Sequence, residues 1–169
     1  GIRMGIPLFK IQDVIRAHGV HVYSSNYALY GDMSQRVTEV LSQFTPDVEM
    51  YSIDEAFLDL AGFKGCNLTD YGRSIRSTVL TWTGIAVSVG IAESKTLAKI
   101  ATRIAKKSKK ADGVLDLTMS PYRDTALAST DVEDIWGVGR GYSRFLGSIG
   151  INNALQLSNA PDSLIKKKM

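Results

Sequence analysis

The sequence predicts an α+β fold: a mostly antiparallel sheet with helices on one face, followed by a small helical unit. Three observations predict it. Bulky residues alternate with their neighbours over 48–60 and 85–92, the period of strands. Apolar residues recur at three- and four-residue steps over 30–44, 68–82 and 95–110, the period of helices. After residue 113 short helical stretches surround Gly137-Val138-Gly139 and Gly147-Ser148-Ile149-Gly150, a change of texture that marks a second unit.

The elements follow in order. A short helix is expected over 8–17 after Pro7, closed by His18-Gly19, with a short strand over 20–23. The next helix carries Tyr30, Met33, Val37, Val40, Leu41 and Phe44 on one side. Ser24 or Ser25 can cap its start, and Thr45-Pro46-Asp47 stops it, because proline cannot continue a helix. Residues 48–60 read as two strands joined tightly near Asp54-Glu55, and Gly62 and Gly65 open a loop. Leu68, Tyr71, Ile75, Val79 and Trp82 line a further helix that Gly84 ends. In 85–92, Ile85, Val87, Val89 and Ile91 form a bulky face, and Ala86, Ser88, Gly90 and Ala92 a small one that something approaches closely. Ser94 caps a helix running to about residue 110, and Asp112-Gly113 is a candidate domain boundary.

The 169 residues suit one sizeable domain or two small ones, and 44% apolar with 22% charged residues excludes disorder and collagen-like repeats. No apolar run approaches the ~20 residues of a membrane-spanning helix. Cys66 is the only cysteine, so an internal disulfide is excluded and a cytoplasmic setting is expected. The net charge of +3 is unevenly spread. Residues 95–110 hold seven bases and no acid, leaving 13 bases against 17 acids elsewhere. Lys95, Lys99, Arg103, Lys106 and Lys110 fall within roughly 80° on a helical wheel. Such a ridge suits phosphate oxygens, and equally a solvated helix face.

Adjacent Asp54 and Glu55 repel each other, and a divalent cation with hard oxygen ligands relieves that repulsion. Neighbouring strand residues face opposite ways, so both reach one metal only where the strand turns. The alternative is a solvated acidic hairpin tip. Gly137, Gly139 and Gly141 do not make a dinucleotide loop, because no buried strand precedes them and the spacing falls short. They read instead as a glycine hairpin between two helices whose amides can bind a DNA phosphate, or as a plain tight turn. His18 and His21 are too few for a zinc site.

Tyr51-Ser52-Ile53-Asp54-Glu55-Ala56-Phe57 resembles the carboxylate motif of Y-family (translesion) DNA polymerases. Val89 to Ala101 resembles the strand and helix that follow it, and Trp136-Gly137-Val138-Gly139 the helix-hairpin-helix of the thumb. Tyr23-Ser24-Ser25-Asn26-Tyr27 and Tyr30 fit the UmuC/MucB (ImpB/MucB/SamB) branch, and the likeness spans essentially the whole chain in the family's order.

The resemblance implies a partial polymerase palm followed by a partial helical thumb: a remnant of the fingers at 1–25, palm at 26–112 and thumb at 113–169. It implies an error-prone DNA-directed DNA polymerase of SOS repair, with primer-template DNA and dNTP as substrates. Asp54 and Glu55 would be two of three carboxylates holding two Mg²⁺ ions. Lys106 would contact the incoming triphosphate, and Gly137, Gly139 and Arg140 the DNA backbone. Family partners are a processed UmuD-like subunit, a recombinase filament and a sliding clamp. The third carboxylate, the ribonucleotide-excluding residue and a tyrosine-arginine pair are expected upstream of residue 1, and the little finger after residue 169. The 169-residue chain alone is therefore expected to be inactive, and an unpaired sheet edge gives scope for a homodimer. Two other readings stand beside this one. One is a non-catalytic DNA-binding module using the basic helix and the glycine hairpin. The other is a metal-dependent nuclease recruiting Asp47 or Asp59.

Overall fold

The computed structural model describes every residue except Lys64 and Met169, and the side chains of all the others but Lys167 and Lys168. After Pro7 the chain makes a single 3-10 turn, Leu8–Lys10, before α1 (Gln12–His18), so the helix expected over 8–17 is split at Ile11. Gly19 ends α1 in the left-handed conformation at φ 59°. Residues 20–23 form no strand. A strand is stable only when its amides find a ladder, and none is offered there.

Asn26, rather than Ser24 or Ser25, caps α2 (Tyr27–Leu41), its side-chain oxygen accepting from the Leu29 amide at 3.1 Å. β1 (Val48–Ser52) and β2 (Glu55–Leu58) form the expected tight antiparallel hairpin. Asn67 caps α3 (Leu68–Thr83), and Gly84 closes it at φ 74°. Val40 and Leu41 of α2 and Ile75 and Val79 of α3 form one buried cluster, covered by Ala56 and Leu58 of β2 and by Val87 and Val89.

Only Val89–Ile91 of the stretch 85–92 pairs in a ladder, as β3. Its partner is β4 (Val114–Asp116), absent from the expected elements, and the pair is parallel. Parallel neighbours need a long crossover, and α4 (Lys95–Lys107) supplies it. The α+β class therefore stands, while the strands form one antiparallel and one parallel pair in place of a mostly antiparallel sheet. Helices also lie on both faces of β3. A Cβ on Gly72 of α3 would meet the side chains of Val114, Ile91 and Val89. A Cβ on Gly90 would lie 2.2 Å from the Thr102 amide nitrogen of α4. The small face of this strand thus receives a helix backbone.

The chain turns at Asp112-Gly113, both with positive φ, back into β4 before entering the short helices. These are α5 (Arg123–Ala128), a 3-10 turn at Val132–Asp134, α6 (Arg140–Ser148), α7 (Ala154–Ser158) and α8 (Asp162–Lys168). Leu127, Val132, Ile135, Leu146, Ile151 and Ala154 bury together with Ile100 of α4. On its next residue, Ala101, α4 enters a different cluster with Leu117 and Ala126. One helix therefore belongs to the sheet unit and closes the core of the helical unit.

Candidate active site at the acidic hairpin

The register of the β1–β2 pair shifts between Met50 and Ser52, just before the turn at Ile53-Asp54. Such an irregularity twists a strand and re-aims side chains, which is what two adjacent carboxylates need to escape strict alternation. Asp54 and Glu55 are both exposed at this tip. The Ser52 hydroxyl donates to Asp54 Oδ1 at 2.7 Å and fixes that carboxylate. Glu55 faces α4: the Lys99 ammonium lies 2.9 and 2.8 Å from its two oxygens.

The neighbours of Lys99 on the same face are paired as well. Lys95 pairs with Glu49 of β1, and Arg103 with Asp134 of the 3-10 turn. The upper ridge of α4 therefore meets carboxylates from three other elements, so that part of it is not the plainly solvated helix face that was the alternative. Its lack of acids reflects partners supplied across the fold. The helix ends at Lys107, with extended backbone at Ser108, so Lys110 leaves the ridge altogether. Lys106 stays exposed in the last turn, about 10 Å along the axis from Lys99 and on nearly the same side.

An aromatic contact joins the acidic hairpin to the glycine hairpin. The Trp136 indole N–H donates to the Tyr51 hydroxyl at 2.8 Å, and the two rings meet edge-on at 5.2 Å. Phe57 lies 5.8 Å from both rings. Gly137 follows at φ +93°, and α6 begins after Gly139 without a side-chain cap. A Cβ at Gly139 or Gly141 would meet nothing within 4 Å, so the fold itself does not demand glycine there. The element before this hairpin is the 3-10 turn at Val132–Asp134, where a helix was expected. Arg140 is exposed at the start of α6 and lines a shallow depression with Glu133, Ser143 and Arg144.

Asp54 and Glu55 are hard-oxygen donors suited to Mg²⁺, an ion usually held by one or two carboxylates together with phosphate oxygens and water. Among the described residues no group of three or more His, Cys, Asp or Glu side chains is gathered closely enough to hold a metal. The pair thus fits a shared site completed by other groups, and not a closed protein cage. Asp47 and Asp59 flank the open end of the hairpin, where the Asp59 amide donates to the Asp47 carbonyl at 3.0 Å. The five residues of β1 and the four of β2, about 13–17 Å of strand, separate them from the tip. The nuclease reading loses its extra ligands there.

The sequence model of the impB/mucB/samB family matches residues 1–103. The chain belongs to the impB/mucB/samB family. It is 50% identical to protein UmuC of Salmonella typhimurium over 169 residues, covering 99% of this chain and 40% of that protein. To MucB of Escherichia coli it is 37% identical, again across 40% of that protein. The chain thus spans about 40% of the length of these curated relatives. Among solved structures it resembles an insertion ternary complex of Dbh DNA polymerase, with a TM-score of 0.77 and 28% identity, over 99% of this chain and 47% of that one. DinB from Sulfolobus solfataricus gives a TM-score of 0.75 at 28% identity, over 99% of this chain and 48% of that one. The family match and the shared fold agree with the resemblance carried by the carboxylate, strand-helix and glycine-hairpin motifs.

The contacts of Lys99 with Glu55 and of Trp136 with Tyr51 were not legible in the sequence. Lys99 stood out as one base of the ridge and of the Val89–Ala101 motif, and Trp136 as the first residue of the glycine-hairpin motif, with nothing to say that the two meet. The unbalanced charge of 95–110 was the one signal that acids elsewhere had to answer it.

Proposed function

We propose that this chain is the partial palm and thumb of an error-prone, template-directed DNA polymerase of the translesion type. The observation that carries the reading is the acidic hairpin: Glu55 lies on the cationic side of α4, and Tyr51 of the same hairpin touches Trp136 beside Gly137. The ternary-complex structure of a Dbh DNA polymerase that this chain resembles supports it. On this reading 1–25 belongs to the fingers, 26–112 to the palm and 113–169 to the thumb, whose first strand, β4, pairs back onto β3 of the palm.

Asp54 and Glu55 would hold divalent cations, which supply charge neutralisation for the attacking hydroxyl and the leaving pyrophosphate. Ser52 orients Asp54 through its hydroxyl. Lys106 offers its ammonium to the triphosphate. The backbone of exposed Gly137 and Gly139, with Arg140, would hold DNA phosphates without reading sequence. Primer-template DNA and dNTP are then the substrates. A processed UmuD-like subunit, a recombinase filament, a sliding clamp and a second copy of this chain are proposed partners on family resemblance alone. No described helix is long and apolar enough to cross a membrane, and a cytoplasmic place is proposed with the rest.

Primer extension tests the reading. The 169-residue chain alone is expected to give no template-dependent product, because two carboxylates with water in the remaining positions can bind an ion without fixing it between the primer hydroxyl and the triphosphate. In the parent protein Asp54→Asn or Glu55→Gln is expected to cut extension by more than about 100-fold, beyond the loss typical of an outer metal partner. Undiminished extension by both variants would overturn it.

A further inference from the structure

Lys99 is the most enclosed member of the α4 ridge. Its side chain is 24% exposed, against 45% for Lys95 and 43% for Arg103. A cation withdrawn from water needs compensation. Lys99 obtains it from three elements: both oxygens of Glu55 at the start of β2, the Tyr51 ring of β1 at 4.6 Å, and the Trp136 ring at 5.5 Å. Tyr51 and Trp136 are locked to each other by the indole hydrogen bond, so the two π faces form a preset seat for the ammonium. The carboxylate side of that seat is the oxygen pair that a divalent cation would take.

We propose that Lys99 is a resident counter-ion of Glu55, seated between Tyr51 and Trp136, which gives up the carboxylate when a divalent cation binds. Metal loading at the acidic hairpin is then felt at the glycine hairpin through Trp136. This rests on the reading of Asp54 and Glu55 as a metal-holding pair. Lys99 is a positioning residue in it: it presets Glu55 and couples the acidic hairpin to the glycine hairpin.

The 169-residue chain carries the test. Trp82→Phe leaves Trp136 as the sole tryptophan; Trp82 is 60% exposed and tolerates the change. Mn²⁺ binding is followed by loss of the free-ion EPR signal, and Trp136 emission is followed during Mg²⁺ titration. Three results are expected. Mg²⁺ changes Trp136 emission saturably in the Trp82→Phe chain. Lys99→Met abolishes that change and tightens Mn²⁺ binding about two- to fivefold, the worth of a partly exposed ion pair. Lys99→Arg returns the Mn²⁺ affinity towards the starting value. Mn²⁺ binding that is unaltered by Lys99→Met, or saturation with Mg²⁺ that leaves Trp136 emission unmoved, would overturn the counter-ion and leave the metal pair standing. Absence of any Mn²⁺ binding that Asp54→Asn removes would overturn the metal pair and the counter-ion together. Should Lys99→Met fail to fold, the emission titration of the Trp82→Phe chain decides by itself.

Discussion

Glu93 sits immediately before the cap of α4 and reaches across to the chain beyond β4. Its carboxylate accepts from the Met119 amide at 3.4 Å and from Arg123 at 3.2 Å. Its own backbone amide, then Met119 and Arg123, hold the carboxyl below its ordinary value, against the opposing effect of burial. A lowered folded-state value means that the charged form stabilises the fold above the unfolded carboxylate pKa, about 4.3. That contribution is lost as pH falls through the folded value. Glu93→Gln is therefore expected to lower Tm at neutral pH, with the gap to the parent chain closing in acid; thermal melts across pH check it. Tyr71 shows the opposite shift: burial first, then the nearby Cys66, push its hydroxyl up. The hydroxyl donates to the Phe44 carbonyl at 2.5 Å and ties α3 to the turn that follows α2. Tyr71→Phe is expected to cost about 0.5–1.5 kcal/mol in a denaturant titration.

At the scale of elements, caps and breakers were the best-read features because they act within a few residues. Ser94 caps α4 as its sequence position requires, accepting from the Leu97 amide at 3.3 Å. Ser94→Ala is expected to cost about 1 kcal/mol, measured by thermal or urea unfolding. Gly90 was legible as part of a small-residue face, but not what fills that face. With a Cβ facing the Thr102 amide nitrogen at 2.2 Å and the Ala98 carbonyl at 2.3 Å, Gly90→Ala must push β3 and α4 apart. An overpacking cost of about 1–3 kcal/mol or more is expected from the same unfolding measurement. The segment 20–23 looked like a strand by residue type alone, and β4 escaped notice. Strands exist by pairing, and pairing partners are not written locally.

Across the whole molecule, α4 holds the two units together. Ile100, 3% exposed, closes the core of the helical unit, Ala101 joins the cluster with Leu117 and Ala126, and the α4 backbone at Ala98 and Thr102 receives Gly90 of β3. Ile100→Ala is expected to cost about 2–5 kcal/mol. Hydrogen exchange should show protection falling first in α6 and α7 and least in α2 and α3, because only the former share a cluster with Ile100. Equal loss everywhere would mean that the two cores unfold as one. The sequence by itself determined the helical and strand periods, the caps, the turn that brings Asp54 beside Glu55, and the family motifs in their order. All of these depend on neighbours a few residues apart. Only the tertiary structure decided that Lys95 and Lys99 would answer acids 46 and 44 residues away, and that Trp136 would bond Tyr51 across 85 residues. Charge and aromatic character are visible in a chain, but which groups meet depends on how α4 docks between two cores, and burial of apolar surface sets that docking.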